Sequence, residues 1–151
     1  MHDTKQAFQP NREELSEFLR GQMGCTISTI DPEGVPSGAY VAFSETAEGH
    51  FIINTKQSSR KARNLLSNPG VSLTITNEEA RYTVQLQGSA ELLTSETFES
   101  YADRFYEKLP FLRALRDDPE QVRFLVTPTF LRFSDCSSYP WVPTEYSPTL
   151  S

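Results

Sequence analysis

A mainly β fold, a small antiparallel barrel of about six strands with added helices, is what the sequence predicts. Three observations lead there. β-prone segments recur at hairpin spacing, divided by turn signals such as DPEG at 31–34 and AEGH at 47–50. A long strand pattern over 81–93 contains Gly88, which fits the bend or bulge by which a sheet curls. Helical periodicity is confined to the start, to a short stretch after the third strand and to a late insertion before the last strand.

Taken in order, residues 11–20 read as an amphipathic helix. Asn11 is the cap, Glu13 and Glu14 stand in the first turn, Leu15, Phe18 and Leu19 share a face, and Gly21 is the stop. Residues 23–30 and 35–43 form a hairpin, and 51–55 is a third strand. A helix follows with Ser58 and Ser59 as caps and an apolar stripe of Ala62, Leu65 and Leu66, stopped by Pro69. Val71, Leu73 and Ile75 alternate with Ser72, Thr74 and Thr76, as in a half-buried strand. The long strand sets Tyr82, Val84, Leu86, Ala90 and Leu92 on one side. Thr94 caps a helix carrying Phe98, Tyr101, Ala102, Phe105 and Leu109, and a short helical turn lies around 111–116; these helices are expected to cover the barrel. Residues 121–135 supply one or two strands broken by Pro128. The tail, with Tyr139, Trp141 and Tyr146, is expected to dock up to Pro143.

The 151 residues suit one domain: a helix in 1–21, the barrel with its inserted helices in 23–135 and an arm in 136–151. A formal net charge of −6 argues against a general nucleic-acid or anionic-membrane binder, which needs a basic field. The polar start MHDTKQAFQPNREEL lacks the apolar centre of a signal peptide and no run is long enough to span a bilayer, so a cytoplasmic location is expected. Cys25 and Cys136 have neither CxxC nor His–Cys spacing, so no metal site is expected. His2 and His50 offer no obvious general acid or base, and no catalytic residue is assigned.

The chemistry gathers at 51–68, FIINTKQSSRKARNLLSN. Arg60, Lys61 and Arg63 stand at the start of a helix, where the macrodipole is already positive and acidic residues are preferred. A phosphate removes that conflict: it meets the free N–H groups of the first turn, a hydroxyl from Ser59 and charge from Arg60 and Lys61. The alternative is a solvated basic helix start.

This stretch resembles the strand–turn–helix of the pyridoxamine 5'-phosphate oxidase-like, flavin-binding split barrels, through Ser59-Arg60-Lys61, Leu65 and Asn68-Pro69. The similarity runs in order over about 23–93, including RYTVQLQG at 81–88. It implies a six-stranded antiparallel Greek-key split barrel of FMN-binding type, with FMN as cofactor and its phosphate on Ser59, Arg60 and Lys61. It also implies that Asn54 and Thr55 lie near the ribityl chain and phosphate, and that residues 39–44 run along the isoalloxazine, with Ala39, Tyr40 and Val41 as contacts. The family's barrels pair as homodimers with flavin at the interface, so Thr83, Gln85 or Gln87 and Trp141 become candidates for contacts to the partner's flavin. For Tyr40 and Val41 an ordinary strand role is the alternative; for the glutamines it is a solvated face, and for Trp141 simple packing. True pyridoxamine phosphate oxidases carry basic residues where this chain has Ala39 and Ser44, and the tail after Asp135 has neither Arg nor His. Vitamin B6 oxidation is therefore not expected. The implied function is an FMN-dependent oxidoreductase moving a hydride or electrons between NAD(P)H and a small molecule. The alternatives are a non-catalytic flavin carrier or sensor, or a deazaflavin- or haem-binding relative; for haem, His50, Cys25, Cys136 or a tyrosine would be the axial ligand.

Overall fold

The computed structural model describes residues 6–148; His2 and the end of the tail lie outside them. In chain order the elements are α1 (Arg12–Arg20), β1 (Gly24–Ile30), β2 (Pro36–Glu45), β3 (Phe51–Lys56), α2 (Arg60–Ser67), β4 (Gly70–Asn77) and β5 (Tyr82–Leu92). Then come α3 (Ser95–Glu99), α4 (Ala102–Lys108), a 3₁₀ turn (Pro110–Leu115), β6 (Gln121–Asp135) and β7 (Thr144–Glu145). The sheet order is β3-β2-β1-β4-β5-β6-β7, and a further pairing of β3 with β6 closes the first six strands into an antiparallel barrel.

Alternation along each strand sends one set of side chains inward. Ile27, Phe43, Ile53, Leu73, Ile75, Val84, Phe124 and Phe133 fill the interior, each worth about 1.5–3 kcal/mol of hydrophobic transfer. Leu15 and Leu19 of α1 join that core, and α1 opens with a reciprocal cap between Asn11 and Glu14. A second apolar cluster lies outside the barrel, where Phe98, Ala102, Phe105, Tyr106 and Leu109 cover Ile52 and Leu125. The late helices therefore do cover the sheet, as expected, although they form two short helices with Tyr106 among their buried residues.

The structure corrects several sequence expectations. Residues 121–135 form one continuous strand, because Pro128 sits at a bulge where Gln87 pairs with Phe130 and Gly88 with Pro128, skipping Thr129. Gly88 makes the bulge possible: a Cβ there would lie 2.3 Å from the Thr127 carbonyl oxygen. Leu92, beyond the bulge at the barrel end, is 44% exposed instead of lying inward. On α2 the buried face is Ala62, Asn64 and Leu65, whereas Leu66 is 58% exposed; Asn64 donates to Thr29 Oγ1 at 3.0 Å and so anchors the helix to β1. The tail docks beyond Pro143, not up to it. Thr144 and Glu145 pair with Phe133 and Arg132, and the Tyr146 hydroxyl donates to the Pro10 carbonyl, while Tyr139 and Trp141 stay exposed.

Candidate functional site

The helix start at 59–63 has the local structure of an anion site. Ser59 is the N-cap of α2, its Oγ accepting from the Ala62 amide at 3.2 Å, and Thr55 Oγ1 lies 3.0 Å from the same oxygen. When Thr55 donates in that pair, the Ser59 hydrogen remains available to a ligand. The first turn holds no acidic residue. Arg60, Lys61 and Arg63 make no ion pair among the described residues, so no such pair there offsets the clash between their charge and the helix dipole.

Beside this corner the barrel is split. β2 and β3 pair only through Phe43–Ile53, Ser44–Ile52 and Glu45–Phe51. Beyond Phe43, β2 continues on β1 alone, and beyond Ile53, β3 continues on β6. The two strands part there, and the ladder alternation leaves main-chain groups of Tyr40, Ala42 and Asn54 along the gap, on the side of β3 that leads to Ser59. Val41 is buried and Ala39 packs on the core; because the Phe43 amide donates to the Met23 carbonyl, alternation turns the main-chain groups of Ala39 and Val41 to β1 and those of Tyr40 and Ala42 to the gap. Tyr40 points outward, 71% exposed, with its ring against Gly24, where any Cβ would come within 2.2 Å of the Tyr40 hydroxyl.

The Asn54 side chain is engaged within the chain. Its amide donates to Gln121 Oε1 at 2.6 Å and accepts from Arg123 Nε at 3.0 Å. Arg123 in turn donates to the Tyr106 hydroxyl and the Arg116 carbonyl and stacks 4.5 Å from the Phe98 centroid. This network braces β3 and β6 against the helices, which leaves the main chain of Asn54 facing the gap. Thr83 and Gln85 lie on the outer sheet face, Thr83 opposite Thr76 and Gln85 on a row that runs Tyr40–Thr26–Thr74–Gln85. Three strand steps of about 4.8 Å separate Gln85 from Tyr40, roughly 14 Å along the sheet, so the chain does not bring Gln85 to its own gap. Trp141 is 68% exposed between β6 and β7. Of the residues named as haem ligands, Cys25 is buried in the core, Cys136 is exposed, and His50 keeps a buried Nδ1 without a hydrogen bond.

One feature escaped the sequence reading. At the other end of β3, a strand roughly 17 Å long at about 3.3 Å per residue, a cleft of about 740 Å³ opens between α1, the end of β2 and α4. Ser44, Glu45 and Lys108 line its floor, and Arg20, Asp103, Arg104 and Glu107 are exposed around it. Lys108 Nζ donates to Glu45 Oε2 at 2.7 Å, each side chain 10% exposed, and burial lowers the lysine pKa against the opposing pull of Glu45. Arg20 and Arg104 form no ion pair among the described residues. These groups lie far apart in sequence, so no local motif announces them.

Among the described residues no three His, Cys, Asp or Glu side chains gather as a metal site, and no helix is long and apolar enough to cross a membrane. The family model described as pyridoxamine 5'-phosphate oxidase matches residues 12–134. A pyridoxine/pyridoxamine 5'-phosphate oxidase of Bacteroides thetaiotaomicron is 31% identical over 107 residues, 71% of this chain and 45% of the relative. The chain thus spans less than half the length of that curated relative. Among solved structures, a haem-binding protein from Mycobacterium smegmatis superposes with a TM-score of 0.74 at 16% identity, covering 93% of this chain and 60% of the other. A pyridoxamine 5'-phosphate oxidase-related, FMN-binding protein of Nostoc punctiforme gives 0.66 at 13% identity, covering 93% and 98%. At such identities the structural likeness is one of fold, and it is the sequence match that carries membership: the chain belongs to the pyridoxamine 5'-phosphate oxidase family of split barrels.

Proposed function

We propose that the protein is an FMN-dependent oxidoreductase acting on a small anionic molecule, with NADH or NADPH as electron donor and a two-fold homodimer as its working form. The observation that carries this reading is the set of uncompensated cations at the Ser59-capped start of α2, opening onto the gap between β2 and β3. Arg60, Lys61 and Ser59 would hold the flavin phosphate, and the main chain of 39–42 would border the ring. Bound there, flavin supplies hydride and electron transfer. The FMN-binding Nostoc relative supports the choice of cofactor.

The dimer reading is supported by the outer sheet face, where Thr26, Ser28, Ser72, Thr74, Gln85 and Gln87 are uncharged and the neighbouring Arg132 is already paired with Glu145. In such a dimer Thr83, Gln85 and Trp141 serve the partner's flavin, since their own gap is out of reach. The free guanidinium groups of Arg20 and Arg104 favour an anionic substrate in the cleft. Vitamin B6 oxidation is not proposed, because Ala39 and Ser44 stand where basic residues would be needed.

Anaerobic addition of NADH or NADPH to FMN-loaded, desalted protein tests the reading: retained flavin absorption should bleach and return with an added acceptor. Retained flavin that neither nucleotide bleaches would point to a carrier or sensor. Failure to retain FMN, with retention of haem or a deazaflavin instead, would overturn the cofactor.

A further inference from the structure

The cleft holds one group able to lend a proton. Arg20 and Arg104 cannot, since a guanidinium stays charged at any ordinary pH. Asp103 and Glu107 are exposed at the rim, where bulk water competes for any exchange. Lys108 differs from all of these. Its ammonium donates to Glu45 Oε2 at 2.7 Å and to the Leu19 carbonyl at 3.1 Å, and lies 3.7 Å from the centroid of the Phe43 ring. Three elements converge on this atom: α4 carries it, β2 supplies Phe43 and Glu45, and the last turn of α1 supplies the carbonyl.

We propose that Lys108, held by Glu45, is the proton donor of the cleft, serving the reduction of an anionic conjugated carbonyl compound whose carboxylate is taken by Arg20 and Arg104. This inference rests on the oxidoreductase reading above. Reduction of a conjugated carbonyl adds one hydride and one proton, at the two ends of the conjugated system; the hydride comes from reduced flavin. The proton leaves Nζ as its new bond to the substrate forms, the N–H electron pair stays on nitrogen, and the neutral amine is reprotonated by water entering the cleft. The surroundings of the ammonium oppose one another. Burial and the neighbouring Arg104 favour the neutral amine, whereas Glu45 favours the ammonium. From β1, Cys25 faces the same atom, but burial pushes its thiol up to about 12, so it stays neutral and takes no proton. Arg20 approaches from α1, and Asp103 and Glu107 from the exposed side of α4.

The test follows the lysine ammonium groups by side-chain NMR over pH in the full chain, with and without fumarate as an anionic conjugated probe. Lys108 should titrate below the ordinary lysine range, move upward when fumarate binds, and move further down in Glu45→Gln. In parallel, FMN-loaded protein is reduced and its anaerobic reoxidation by fumarate is followed by stopped flow. The wild-type rate should fall above the Lys108 midpoint, and Lys108→Arg, which keeps a cation on Glu45 but cannot release a proton, should be at least tenfold slower and lose that dependence. A Lys108 midpoint among the other lysines, or the same pH profile in Lys108→Arg, overturns the inference alone. Failure of NADH and NADPH to reduce the flavin overturns the oxidoreductase reading, and the inference with it.

Discussion

The two ends of β3 handle positive charge in opposite ways. At the α2 end, Arg60, Lys61 and Arg63 crowd a helix start whose first turn holds no acidic residue, with no ion pair to them among the described residues, and an incoming anion would relieve them. At the other end, Lys108 is already paired with Glu45, capped by the Leu19 carbonyl and seated on Phe43. A cation left uncompensated at a surface costs little and waits for a ligand. A cation taken out of water must be matched by the chain itself, so its partner is part of the fold. The first arrangement implies binding without stability, the second stability together with tunable proton affinity.

The contrast is sharpest in the two cation deletions. Arg60→Ala with Lys61→Ala should weaken FMN binding by about 100-fold or more, two charge-assisted contacts at about 1.5–3 kcal/mol each, while the apo protein melts as before. Fluorescence titration and thermal melts check both halves. Lys108→Met should do the reverse in kind, costing about 3–5 kcal/mol of stability by leaving Glu45 buried and alone. Lys108→Met with Glu45→Met should recover much of it in urea unfolding.

How much of this was legible in the sequence follows the same division. The corner is local: Ser59, Arg60 and Lys61 are consecutive, and their conflict with the helix dipole is visible without a structure. The barrel was legible where alternation was clean, as in Val71, Leu73 and Ile75. It was misread where distant backbone decides. Pro128 looks like a strand break until Gly88 admits the Thr127 carbonyl, and Leu66 looks buried until Asn64 claims Thr29. The tail likewise docks through Thr144–Glu145 and Tyr146, whose partners Arg132, Phe133 and Pro10 are remote in sequence. The cleft gathers side chains from α1, β2 and α4, and no spacing rule could assemble it.

A smaller effect separates the two ends by pH. Burial raises the Cys25 thiol from 9.0 to about 12, so its contribution to stability is complete below pH 9 and is lost as pH rises from there through about 12, where the folded thiol also ionises. Cys25→Ala should flatten that part of the stability–pH curve, and a thiol reagent at pH 8 should label Cys136 well before Cys25. The smallest expected change is at the corner. Arg60→Glu should stabilise the apo protein by about 0.3–1 kcal/mol, since a carboxylate suits a helix N-terminus, while abolishing the site.

A paired calorimetric titration of the purified protein with FMN and with riboflavin, which share the ring and differ only in the phosphate, puts the corner to the most direct test. FMN should bind at least 100-fold more tightly, and the advantage should vanish in the Arg60→Ala, Lys61→Ala protein. Equal affinity for the two flavins, or a phosphate advantage that survives the double substitution, would contradict an anion site at the start of α2.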